Sequence, residues 1–229
     1  MSGKALRLAP QGFTLNRQRF RTSRGEPKPG DGFAFASGQR IRVLKERLSS
    51  VPRSLLAIPI LLASLSAAPN LEGAFGAGLG LLMLAIAAED ARHFRIPDQL
   101  SLAAFILGLA QVAIGDLEGW PEPMAWAWLR AAVAALSFYL LRALYHRVRG
   151  RQGLGLGDVK LAAVAGVWLD LALLPVAIEM AALSALILYG ISRFLARQPL
   201  EATAKLPFGL YFAPAIWLCW LLGTIFGRV

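Results

Sequence analysis

The chain has 229 residues, 56% of them hydrophobic and 17% charged, with a formal net charge of +10. A soluble domain of this size needs more polar surface, so the composition points to a polytopic membrane protein. The single cysteine, Cys219, excludes a disulfide framework or a cysteine-built metal site within one chain, and His93 and His146 lack the helical spacing of a zinc protease of the HExxH kind.

The first fifty residues mix glycine, proline, arginine and serine without apolar periodicity, so residues 1–52 read as a basic, disordered cytoplasmic tail. Residues 1–53 hold twelve Lys/Arg against three Asp/Glu, while the other 176 residues are nearly neutral. Beside a membrane helix, such a tail fits an anchor on anionic lipid better than nucleic-acid binding. No cleavable secretory signal is visible, because the first apolar run begins only after these polar residues.

Residues 53–229 form the second unit, read as an all-α transmembrane helix bundle. Its apolar runs are about 15 to 24 residues long, enough to cross a hydrocarbon core of about 30 Å. Seven spans are expected, at 53–69, 71–88, 99–115, 124–145, 158–170, 171–194 and 207–226. The fifth is the shortest, and the stretch from 158 to 194 crosses twice only as short helices.

Loop charge sets the orientation. The basic tail, Arg92 and Arg95, then Arg147, Arg149 and Arg151, and finally Arg197 and Lys205 all belong inside. Asp116, Glu118 and Glu122, in a loop without a base, belong outside. The N-terminus is therefore expected in the cytoplasm, and Asp90 and Asp158 fall on the same cytoplasmic side.

Those two aspartates carry the chemistry. Asp90 closes the second apolar run; Asp158 ends Gly153-Leu154-Gly155-Leu156-Gly157-Asp158 and opens the fifth. Peptide hydrolysis by aspartates needs two carboxylates that share a proton, one taking a proton from water while the other donates one. Such a pair titrates jointly, so neither is assigned as the fixed base. Glycines 153, 155 and 157 would permit positive φ and the close approach of a substrate strand.

Plainer roles compete. Asp158 alone fits a helix N-terminal cap, and Asp98, Asp116 and Asp170 read as caps or interfacial charges. Glu179, inside the sixth span, is either functional or a hydrogen-bonded contact within the bundle. Arg130 and Arg142 are expected to snorkel to opposite interfaces, and Trp120, Trp126 and Trp128 to form an outer aromatic belt. Gly76, Gly78 and Gly80 in the second span and Ala162, Ala163 and Ala165 in the fifth allow close backbone contact. If those two helices touch, the aspartates meet.

The run Gly155-Leu156-Gly157-Asp158-Val159-Lys160-Leu161 resembles the signature of the prepilin peptidases, the type IV leader peptidases among the GxGD intramembrane aspartic proteases. Asp90, with Ile96-Pro97-Asp98 following it, is similar to that family's first-aspartate motif, and Leu206-Pro207-Phe208-Gly209 to the segment opening its last helix. The three stand in the family's order, across roughly residues 54–226.

The resemblance implies a catalytic pair, Asp90 and Asp158, supported by Gly155, Gly157, Lys160, Pro97 and Pro207. Water would be the nucleophile, with no cofactor and no metal. The implied reaction removes a short basic leader from type IV prepilin or pseudopilin-like precursors, after a glycine at the cytoplasmic edge of their apolar helix. The implied setting is the bacterial cytoplasmic (inner) membrane, crossed several times, with the site facing the cytoplasm. Lys160 would steady the pair's charge, meet an acidic residue of the substrate, or snorkel. Expected partners are the precursor and membrane lipid, with no nucleic acid.

The larger bifunctional members also methylate the new N-terminus through a domain with paired cysteines, which this chain lacks, so methyl transfer is not expected. The chain's length fits the short members that process Flp-type pilins, whereas Pro97-Asp98 and the helix at 53–69 lean toward the type II secretion form. The segment Gly12-Phe13-Thr14-Leu15 resembles a prepilin cleavage junction, yet no apolar helix follows it. Two other classes compete: an ion- or proton-coupled transporter, for which no internal repeat is found, and a non-catalytic scaffold of a pilus or secretion machine. A transporter would move an ion without any pilin, and a scaffold would tolerate loss of either aspartate.

Overall fold

The computed structural model describes residues 53–115, 121–150, 153–197 and 206–227. The tail read at 1–52, with Gly12-Phe13-Thr14-Leu15, lies outside them, as do Asp116, Glu118, Trp120, Arg151 and Lys205. The described residues form seven helices and no strand: α1 Arg53–Ala67, α2 Leu71–His93, α3 Asp98–Gly115, α4 Glu122–Arg149, α5 Leu156–Trp168, α6 Leu173–Ala196 and α7 Phe208–Phe226. Helices suit these runs because each satisfies its own backbone hydrogen bonds where lipid offers none. Five of them, α2, α3, α4, α6 and α7, are long and apolar enough to cross a membrane. The chain is a multi-pass membrane protein, an all-α bundle as composition and apolar periodicity require.

The helix count agrees with expectation; several bounds do not. Helix α2 runs on to His93 and places Asp90 in its last turn rather than beyond it. It stops at Phe94, which takes φ 52°, the left-handed conformation that a bulky residue rarely adopts, and whose N–H donates to the Asp90 carbonyl at 2.9 Å. Helix α4 extends through Arg147 and Arg149 to a left-handed Gly150, so its 28 residues span about 42 Å. Those arginines are helical residues, not loop residues. Helix α5 begins at Leu156, which makes Asp158 its third residue, and has 13 residues, whereas α6 has 24. The expected pair of short helices is thus one short and one full-length helix.

Glycines and tryptophans lock the bundle together. A Cβ at Gly76 or Gly80 of α2 would run into Trp220 or into Ile60 and Trp217, and one at Gly108 of α3 into Val167 and Trp168. Trp217 Nε1 donates to Ser64 Oγ of α1 at 3.1 Å, and Trp168 Nε1 to the Ala104 carbonyl of α3 at 2.9 Å. Gly166 of α5 meets the α4 backbone directly, with Ala131 Cα only 2.7 Å from where a Cβ would stand. Packing of α2 on α5 along their lengths, the condition named above for the aspartates to meet, is not what joins them. Helix α2 packs chiefly on α7, α1 and α3, and α5 on α4, α3 and α7. Gly76 and Gly80 admit aromatic rings from α7, and Gly78 admits Leu107 of α3, rather than the backbone of α5.

Cys219 lies fully buried on α7, its Sγ 3.8 Å from Met180 Sδ of α6. Glu179 is exposed on the outer face of α6, not a contact within the bundle. Arg130 is partly buried rather than free to snorkel: it bonds the Gly166 carbonyl and pairs with Asp170, both at 3.3 Å. Trp126 and Trp128 stand exposed near the start of α4.

Candidate active site

At one end of the bundle, the last turn of α2, the connection to α3 and the first turns of α5 and α7 converge. Asp90 and Asp158 meet there. They are 5% and 9% exposed, and both line a single cleft of about 330 Å³. The remaining walls are Phe94, Arg95 and Ile96 from the connection, Asp98 from α3, Gly155 just before α5, and Leu156, Gly157 and Lys160 from α5. The two carboxylates lie within electrostatic reach of each other.

Each carboxylate is held by backbone amides at a helix start, a position that favours an anion. Asp90 Oδ2 accepts the Leu210 N–H of α7 at 2.9 Å, and the Gly209 N–H also faces this carboxylate. Pro207 immediately precedes α7 at φ −71° and, having no N–H, adds no donor there. Asp158 Oδ2 accepts the N–H of Gly155, the residue before α5, at 3.0 Å. This reach back from the third helical residue is the acidic half of a capping box, so Asp158 combines a helix-start bond with a place in the cleft.

The glycines answer a different need from the expected one. Gly155 has φ −76°, and neither Gly153 nor Gly157 has positive φ. Close packing excludes side chains instead. A Cβ on Gly157 would come within 3.0–3.2 Å of Ile96 and one on Gly155 within 3.2 Å of Asp158 Oδ2. One on Gly209 would sit 2.8 Å from Ile96 Cδ1 and 2.9 Å from Asp90 Oδ2.

Lys160 is engaged: its Nζ meets Asp98 Oδ1 at 2.5 Å across the rim of the cleft, with both side chains substantially exposed. Asp98, read as a cap or an interfacial charge, is the partner of Lys160. Pro97 and Pro207 stay out of the cleft lining. Pro97 ends the connection, and its carbonyl takes the N–H and the hydroxyl of Ser101 in the first turn of α3. Among the described residues, no three His, Cys, Asp or Glu side chains converge as metal ligands would.

Three contributors escaped the sequence reading: Ile96, Asp98 and Gly209. All stand inside motifs it singled out, Ile96 and Asp98 on either side of Pro97 and Gly209 two residues after Pro207, without a role in the site. The usable signal was the small-to-large contrast, two glycines at helix starts with one β-branched residue in a tight connection.

Comparison with known proteins brings further findings. Residues 77–191 match the model of the type IV leader peptidase family. A prepilin leader peptidase/N-methyltransferase of Xanthomonas campestris pv. campestris is 33% identical over 147 residues, covering 64% of this chain and 49% of that protein. Proteins of the same name from Stutzerimonas stutzeri and Pseudomonas aeruginosa are each 33% identical over 141 residues, covering 62% of this chain and 47% of theirs. The chain thus spans about half the length of these relatives. No solved structure matches it.

Proposed function

The chain belongs to the type IV leader peptidase family, and from that premise we propose that it is an intramembrane aspartic endopeptidase acting on type IV prepilin or pseudopilin-like precursors. One observation carries the reading: two buried carboxylates from separate helices line one cleft whose rim is exposed. Asp90 and Asp158 are the catalytic pair. A water between them loses a proton to one carboxylate as it attacks the scissile carbonyl, and the other carboxylate donates its proton to the departing amine. Gly155, Gly157, Pro97 and Pro207 shape the backbone around the pair, and Lys160, paired with Asp98, borders it.

The basic Arg92, Arg95, Arg147 and Arg149 stand at this same end in the span order, which supports a cytoplasmic site in the bacterial inner membrane. A precursor's leader would reach the cleft from that side, its apolar helix remaining in lipid. The match falls on residues 77–191, and the activity proposed for this chain is the peptidase alone, without the methyl transfer in its relatives' names.

The test is cleavage of a pilin-like precursor by the full chain in detergent or membranes. Wild type should release the leader, while Asp90→Asn and Asp158→Asn, folded to the same degree, should each lose about 10³-fold or more in rate. Cleavage retained by either variant would break the assignment of the pair. A folded wild type that cuts no such precursor would remove the peptidase reading.

A further inference from the structure

Ile96, in the connection that follows Asp90, stands against both helix starts that hold the aspartates, beside Gly157 and beside Gly209. It is 8% exposed and lines the cleft. Its Cβ, Cγ1 and Cδ1 stand 3.0–3.2 Å from where a Cβ on Gly157 would be, next to Asp158, and its Cδ1 stands 2.8 Å from where one on Gly209 would be. Gly209 in turn borders Asp90 Oδ2, and its neighbour Leu210 donates the N–H that fixes that carboxylate. One branched side chain therefore fills the space between the α5 start and the α7 start. On one side its connection leaves α2 through the left-handed Phe94; on the other it enters α3 at Asp98, which pairs with Lys160 of α5.

Helices α2 and α5 do not pack against each other along their lengths; both pack on α3 and α7, so the separation of Asp90 and Asp158 is set through those neighbours and by what lies between the helix ends. The hydrogen bonds at the site tie each aspartate to a helix start, yet none of them joins one aspartate's support to the other's. Lys160 and Asp98 link α5 to α3 through exposed side chains, a soft restraint. A buried, close-packed side chain against two glycines is a stiff one.

We propose that Ile96 is a positioning residue: a wedge between Gly157 and Gly209 that sets the distance between the two carboxylates and so their ability to share one proton. It touches neither the scissile bond nor the water. This inference rests on the peptidase reading of the same cleft. It makes the size relation between Ile96 and the two glycines, rather than the glycines alone, the condition for activity.

The experiment is size complementation in the full chain, read by steady-state cleavage of a pilin-like precursor, by its pH profile and by thermal unfolding. Ile96→Ala should lower kcat by about 10- to 100-fold, the scale of a misplacement of about 1 Å, with KM changing far less. Its pH profile should change in width, because the interval between the two apparent ionisations follows the spacing of the pair. Ile96→Val, which keeps the Cβ branch, should fall between wild type and Ile96→Ala. Gly157→Ala should be more damaged than Ile96→Ala, and Gly157→Ala combined with Ile96→Ala should recover about tenfold over Gly157→Ala alone.

Recovery in both kcat and melting temperature, with the altered pH profile, supports the wedge. If melting temperature recovers while kcat and pH profile do not, Ile96 is only packing and the positioning role is overturned. If Ile96→Ala raises KM and leaves kcat and pH profile as in wild type, Ile96 belongs to substrate binding and the inference is equally overturned. Wild type failing to cut any pilin-like precursor is a separate result: it removes the peptidase reading and the wedge's catalytic role with it, while the coupling in melting temperature still reports the contact.

Discussion

Helix α5 carries an aspartate at its start and another just past its end, and they share almost nothing but their side chain. Asp158 is 9% exposed, is held by a backbone amide at the helix start and lies within reach of a second carboxylate. Asp170 is 80% exposed at its side chain and pairs with Arg130. A carboxylate next to a guanidinium is neutralised and largely inert, whereas one held by amide dipoles opposite another carboxylate is neither neutralised nor free to leave. The same residue type at two ends of one helix thus does opposite work, and the surroundings decide which.

The hardest way to break this comparison is to remove both charges in turn. Asp158→Asn should lose precursor cleavage by about 10³-fold or more, and Asp170→Asn should keep it within about threefold, as an exposed ion pair predicts. Equal losses in a cleavage assay would mean that the two ends are functionally alike. Next in size is Gly209→Ala, which forces a methyl group against Ile96 and the Asp90 carboxylate. Cleavage should fall about 10- to 100-fold, with a stability loss of about 1–3 kcal/mol from overpacking, read by thermal unfolding. By contrast Gly115→Ala, at the far end of α3 with open space around it, should leave both readouts near wild type.

The smallest effects sharpen the comparison by setting ion pair against ion pair. Lys160→Met at the cleft rim and Arg130→Met at the far end each remove one ion pair with an exposed carboxylate, for about 1 kcal/mol or less. Arg130→Met should cost the more in melting temperature, because Arg130 also bonds the Gly166 carbonyl. Only Lys160→Met should alter cleavage, because it releases Asp98 beside the site.

The sequence showed the helices because apolar length is a one-dimensional property, and it showed the aspartates because ionisable groups inside apolar runs are rare. It placed Asp90 and Asp158 on one side through the count of spans together with the arginines of the loops. It could not show what joins them. Contact of α2 with α5, set out as a condition for the aspartates to meet, is not the chief packing of either helix, because glycine patterns announce close contact without naming the partner, and the partner of Gly76 is the ring of Trp220 on α7. Ile96 stayed invisible because an isoleucine in a membrane protein carries no signal until its neighbours are known. Asp98 and Lys160 are 62 positions apart, so only the folded chain makes them a pair.

Cys219 has a practical consequence. It is the chain's single thiol, and it is fully buried on α7. A membrane-impermeant maleimide should therefore leave the native protein unlabelled, without any prior cysteine removal. One cysteine introduced at a time becomes an unambiguous reporter: at Arg95 beside the cleft, or at Trp126 near the start of α4, it would reveal which compartment each end of the bundle faces. The same silent background suits paired spin or fluorescent labels across the cleft, so movement of the two helix starts on precursor binding can be followed in an otherwise native chain.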